Sequence, residues 1–226
     1  MGKNIISRPV SSGIKVKGVA DVVFCFDCTG SMSSCIDNVK NNVKSFVEGL
    51  GADQSVIIDW RMRALGYGDL EIGEAVQNDN DFVSTIPEFQ AQVDNIAMCG
   101  GGDAPESTLD AIIYAAKTSK WREKSHKIVV IFTDAPTKNV HPDTQKMFAV
   151  NNIKDLKTNL SEDHIKLFLW GASDPNYNEL KAVPKAEITV LGDPHSYYAT
   201  GDKMENLLKL MGKTVSAESL IKSDTL

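Results

Sequence analysis

Asp27, Thr29 and Ser31 alternate along Asp27-Cys28-Thr29-Gly30-Ser31-Met32, directly after the apolar run Val22-Val23-Phe24-Cys25-Phe26. A carboxylate and two hydroxyls, set where a buried strand breaks into a turn, make an oxygen-rich pocket suited to a hard divalent cation. Mg²⁺ is the first candidate, with Mn²⁺ or Ca²⁺ as alternatives. One carboxylate is a modest charge for such a site, so further oxygens must come from elsewhere. Two loops offer them. Cys99-Gly100-Gly101-Gly102-Asp103-Ala104-Pro105-Glu106-Ser107 brings Asp103, and Thr133-Asp134-Ala135-Pro136, after Ile128-Val129-Val130-Ile131-Phe132, brings Asp134.

The elements that must hold these loops alternate between strand and helix. Val19 to Phe26 reads as a first buried strand. Ile36, Val39, Val43, Phe46, Val47 and Leu50 then fall on one helical stripe, with Lys40 and Lys44 facing solvent. Ile57 to Tyr67 is a second strand with one face partly exposed. Asp81 to Thr85 is expected as a short edge strand, followed by a helix from Pro87 to Ile96. Leu109, Ile112, Ile113 and Ala116 mark a further helix, with Pro105, Glu106 and Ser107 at its start. Lys127 to Phe132 is an unbroken β-branched run, the pattern of a strand covered on both faces. A helix over Phe148 to Leu160, strands at Ile165 to Gly171 and Ala186 to Gly192, and a last helix carrying Met204, Leu207, Leu208 and Met211 complete the series. This predicts an α/β fold, a doubly wound, mostly parallel sheet with helices on both faces. Ligands in such folds lie beyond the carboxyl ends of the strands, where Asp27 and Asp134 fall. One domain over 19–213 is expected, with an N-terminal extension at 1–18 and a C-terminal tail at 214–226.

Bulk properties exclude several classes. A net charge of −6 without a Lys/Arg cluster argues against nucleic-acid binding. No run reaches membrane-spanning length, and the first residues lack the apolar stretch of a signal peptide. The expected location is cytoplasmic. Cys25 and Cys28 form a C-x-x-C, yet no second such pair and no paired histidines follow, since His126, His141, His164 and His195 are scattered. Structural zinc needs four converging ligands, so reduced thiols acting as small hydrophobes are the better reading. Asp69, after the second strand, reads as a solvated turn acid, and Phe82 and Phe89 as core.

The three loops, in this order, resemble the von Willebrand factor A domain, whose metal-ion-dependent adhesion site begins with an Asp-x-Ser/Thr-x-Ser turn. Resemblance implies that Thr29 and Ser31 touch the metal directly, that Asp27 acts through bound water, and that Asp134 is the family's later Asp. Adhesive members place a Thr in the middle loop, where this sequence has Asp103. That spelling resembles intracellular members, including bacterial ones and those beside alpha-type protein kinases. A third carboxylate takes the metal-loaded site from roughly neutral to about −1, which strengthens cation binding and weakens capture of a partner's acid. Asp103 has a second reading, as a cap on the helix that follows. Glu106 reads as a first-turn helix charge rather than a ligand, and Ser107 or Thr108 could supply a neutral hydroxyl.

The resemblance implies a non-enzymatic module that docks a protein partner at the metal, and it permits an ATPase, kinase or phosphatase component or a stress-response or defence complex as that partner. A scaffold with a purely structural metal is one alternative. A Mg²⁺-dependent phosphohydrolase of the haloacid-dehalogenase kind is another. It would want an acid two residues after the nucleophile, and Thr29 stands there.

Overall fold

The computed structural model describes residues 16–53, 56–77, 79–100 and 104–221. Asp103, most of the N-terminal extension and the last five residues lie outside the described residues. Strands β1 (Val16–Asp27), β2 (Val56–Tyr67), β3 (His126–Phe132), β4 (Ile165–Gly171) and β5 (Glu187–Val190) form a parallel sheet in the order β2-β1-β3-β4-β5. The chain winds outward from β1 to β2, then returns across β1 to begin β3. The strand order therefore reverses between β1 and β3, which opens the crevice where such folds bind ligands.

Alternation along β1 shows why its sequence reads as one apolar run. Ala20, Val22, Phe24 and Phe26 enter one core, and Val23 and Cys25 enter the other. A strand buried on both faces has no polar side to show. The first core lies beneath α1 (Ser33–Leu50), α2 (Ile86–Asp94) and α8 (Gly201–Ile221). The second lies beneath α3 (Thr108–Thr118), α5 (Ile153–Glu162) and α6 (Pro175–Leu180). The predicted stripe of α1 is buried at Ile36, Val39, Val43, Phe46 and Leu50. Phe26, Phe132 and Trp170 stack in sequence across three strands, which stiffens the carboxyl end of the sheet.

Three local expectations change. The segment around Phe82 is not a strand; Val83 makes an isolated antiparallel bridge to Met62. The helix expected over Phe148 to Leu160 is two helices. The first, α4 (Pro142–Phe148), ends where Ala149 turns left-handed at φ 54°. α5 restarts at Ile153, capped by the Asn152 side chain, which accepts from the N–H groups of Lys154 and Asp155. Glu106 and Ser107 precede α3 rather than forming its first turn. At the ends, β1 begins at Val16, and α8 continues to Ile221 with Val215 buried. No described helix is long and apolar enough to cross a membrane.

Candidate metal centre

β1 ends at Asp27, whose side chain is fully buried. Its Oδ1 accepts from the Thr29 N–H at 3.0 Å and from the Thr29 hydroxyl at 2.7 Å. Its Oδ2 accepts from the Thr133 hydroxyl at 3.0 Å. Burial pushes its carboxyl up, the Thr29 bonds pull it back, and the nearby Asp134 charge adds to the rise. Asp27 thus stands one step back from the solvent, holding a hydroxyl from each of two adjacent loops. Thr133, across the β1–β3 crevice, is a member that the sequence reading did not single out.

The Thr29 hydroxyl lies 3.1 Å from that of exposed Ser31, in the single helical turn Gly30–Met32 that leads into α1. Two donors at right angles on a metal with bonds of about 2.0–2.1 Å lie about 3.0 Å apart. The hydroxyl pair therefore has the spacing of adjacent ligands on a hard cation. Asp134 follows β3. Its Oδ2 is buried and accepts no hydrogen bond among the described residues, although His195 Nε2 faces it at 3.2 Å. A carboxylate oxygen withdrawn from water without a hydrogen-bond donor is costly, and a cation is the partner that would offset the cost. The donor set of two hydroxyls and one carboxylate oxygen free of hydrogen bonds fits a divalent cation. Among the described residues no three of His, Cys, Asp and Glu gather as a metal cluster, so the fit depends on hydroxyls.

Asp27, Thr29, Ser31 and Asp134 are thus brought together at the crevice, while Asp103 lies outside the described residues. The middle loop nevertheless delivers an acid. Glu106 is buried, and its Oε2 is without a hydrogen-bond partner among the described residues. Burial and the charges of Asp27, Asp69 and Glu74 raise its carboxyl to about 8. Its backbone is fixed by a parallel bridge to Thr137: Glu106 N–H donates to Pro136 O at 2.9 Å, and Lys138 N–H to Glu106 O at 2.8 Å. The neutral hydroxyls weighed as substitutes are engaged elsewhere. Ser107 Oγ accepts from the Leu70 N–H, and Thr108 Oγ1 accepts from the Tyr177 hydroxyl.

Asp69 is not a solvated turn acid. It is buried, its Oδ2 accepts from Lys138 Nζ at 2.6 Å, and the same ammonium donates to Glu71 at 2.8 Å. Lys138 so neutralises one end of an acidic stretch that runs from Asp69 through Glu106 towards Asp27. Cys25 and Cys28 enter opposite cores, and all four cysteines are free thiols.

Comparisons with known proteins bear on the family and the fold. The chain is 29% identical over 123 residues to alpha-protein kinase vwkA of Dictyostelium discoideum, covering 54% of this chain and 19% of that protein. It is 43% identical over 51 residues to integrin beta pat-3 of Caenorhabditis elegans, covering 21% of this chain and 6% of that protein. The chain thus matches less than a fifth of the length of either relative. Among solved structures, proximal thread matrix protein 1 from the mussel byssus, described with a zinc-occupied MIDAS motif, superposes with a TM-score of 0.56. The identity is 15%, over 88% of this chain and 47% of that one. A von Willebrand factor type A structure from Catenulispora acidiphila gives a TM-score of 0.55 at 13% identity, over 88% and 43% of the two chains. At such identities the structures show the fold alone. A family model for the von Willebrand factor A domain matches residues 21–160, more than half of the chain and all three loops, and the protein belongs to that family.

Proposed function

We propose that this chain is a metal-dependent protein-interaction module, holding a divalent cation between the Asp27–Ser31 turn and Asp134 and docking a protein partner there. The observation that carries the reading is the buried Oδ2 of Asp134, without a hydrogen bond just past the end of β3, next to the β1 end where the hydroxyls of Thr29 and Ser31 are paired. Thr29 and Ser31 would bind the cation directly. Asp27, with both oxygens occupied by hydroxyls and an amide, would orient those hydroxyls and act through water. The bound cation would supply Lewis acidity towards an oxygen of the partner. Mg²⁺ suits the hard oxygen set, and the mussel byssus neighbour is described with zinc in its own MIDAS motif. Free buried thiols fit a reducing, cytoplasmic setting. The match to a kinase of which this chain spans a small part is compatible with a partner in a kinase, phosphatase or ATPase assembly.

The test has two stages. Calorimetric titration with Mg²⁺ should show a single site in wild type and none in Asp27→Ala. Capture from native lysate should then yield a partner with wild type in Mg²⁺ and lose it in chelator or with Asp27→Ala. A partner retained under all four conditions would make the metal structural. Asp103 is proposed as a third carboxylate, so Asp103→Thr should weaken Mg²⁺; unchanged affinity would leave it a helix cap.

A further inference from the structure

We propose that His195 is a nitrogen ligand of this metal centre, giving it selectivity for late first-row ions, zinc and cobalt, over magnesium. This rests on the metal-site reading above and extends it to a residue outside the three loops.

His195 follows β5 in α7 (Pro194–Tyr198), a short helix far from the metal loops in sequence. Two contacts bring it to the crevice. α7 packs against the helical turn Gly30–Met32 that carries Ser31. Tyr198, at the end of α7, donates its hydroxyl to Thr133 O at 3.1 Å and Trp170 O at 2.6 Å, which ties the helix to the β3 end next to Asp134. The Asp193 side chain caps α7 by accepting from the Ser196 N–H at 3.1 Å. The imidazole is therefore carried on a capped helix tied to the sheet through Tyr198, although the ring itself is 61% exposed.

The ring reaches a buried carboxylate oxygen of the site that accepts no hydrogen bond. His195 Nε2 lies 3.2 Å from Asp134 Oδ2. Two donors on one ion with bonds of about 2.0–2.1 Å lie about 3.0 Å apart at a right angle and about 3.4 Å apart at a tetrahedral angle. The observed separation sits between these values, so one ion can take both atoms with little rearrangement. Imidazole nitrogen favours zinc and its neighbours, whereas magnesium retains oxygen ligands. An all-oxygen centre would separate these ions from magnesium much less.

A different role predicts the opposite sign. If the imidazole served only as a counter-ion to Asp134, it would compete with any metal, and its removal would tighten every ion alike.

Zn²⁺, Co²⁺ and Mg²⁺ are titrated calorimetrically into the 226-residue chain, wild type, His195→Ala and His195→Gln, with Asp27→Ala as the metal-free reference. The visible spectrum of bound Co²⁺ is recorded for each. His195→Ala should weaken Zn²⁺ and Co²⁺ by about tenfold or more while Mg²⁺ stays within about twofold, and the Co²⁺ bands should shift. His195→Gln should show the same loss of selectivity. Equal weakening of all ions, equal tightening, or unchanged Zn²⁺ with an unchanged Co²⁺ spectrum would overturn the assignment of His195 while leaving the metal centre in place. A wild-type chain that binds none of the ions would overturn both.

Discussion

Glu106 carries a raised carboxyl with no oxygen ligand role that its sequence position announced, and its titration gives a test at the level of one side chain. Its folded value of about 8 lies above the ordinary 4.5. In the metal-free protein the native state therefore binds more protons than the unfolded chain between these two values. Stability must fall as pH rises through that window, with the penalty fully present above it. Glu106→Gln removes the ionisable group, so in chelator it should be more stable than wild type at pH 9, by about 1–3 kcal/mol, and nearly equal to it at pH 4. Urea melts across that range check the sign; a difference independent of pH would show that Glu106 is not the titrating group. The acids and hydroxyls of the first turn were legible because all three sit within five residues, on a strand end whose apolar run precedes them. Glu106, Thr133 and His195 were not. Glu106 sits in a Pro-Glu-Ser string that reads equally as a helix start, and its burial comes from the bridge to Thr137, which is a long-range pairing. His195 reaches Asp134 only through the packing of α7.

Backbones meet closely where α1 crosses α8. A Cβ built on Gly49 would lie 2.3 Å from Lys209 O, and one on Gly212 would lie 2.2 Å from Phe46 O. Both obstacles are backbone, so neither can swing aside, and the helices must separate to admit a methyl group. Gly212→Ala should cost about 1–3 kcal/mol by overpacking, against near-neutrality for Gly192→Ala, where nothing lies within 4 Å. Thermal melts of the two variants decide it, and equal midpoints would refute the tight crossing. Strand and long-helix positions could be read from pattern, because two cores make β1 one unbroken apolar run and a single core puts a stripe on α1. Short helices could not. α6 and α7 span six and five residues, too few for a stripe, although each opens with a capping Asp followed by Pro, at Asp174-Pro175 and Asp193-Pro194. The break between α4 and α5 depends on Ala149 in a left-handed conformation that alanine seldom adopts, so composition gave no sign of it.

At the scale of the whole molecule, the sheet brings together residues more than 100 positions apart. Asp27 and Thr133 are joined by a hydrogen bond across adjacent strand ends. A cation bound there touches segments that are remote in the unfolded chain, so it should bind the native state almost exclusively and stabilise it by mass action. At a Mg²⁺ concentration about 100 times Kd the gain is about 2.7 kcal/mol, which in a chain of this size raises Tm by about 5–10 °C. Asp134→Asn replaces the unbonded, charged oxygen with a neutral amide. It should abolish the Mg²⁺-dependent rise while leaving the Tm in chelator within about 2 °C, because the only charge partner lost there among the described residues is the exposed His195 imidazole. Gly212→Ala should lower Tm in both conditions and keep the full rise, since the α1–α8 crossing is separate from the site. A Mg²⁺ rise that persists in Asp134→Asn would place the ion elsewhere. A rise lost in Gly212→Ala as well would mean that the helical crossing, and not Asp134 alone, sets the geometry of the metal loops.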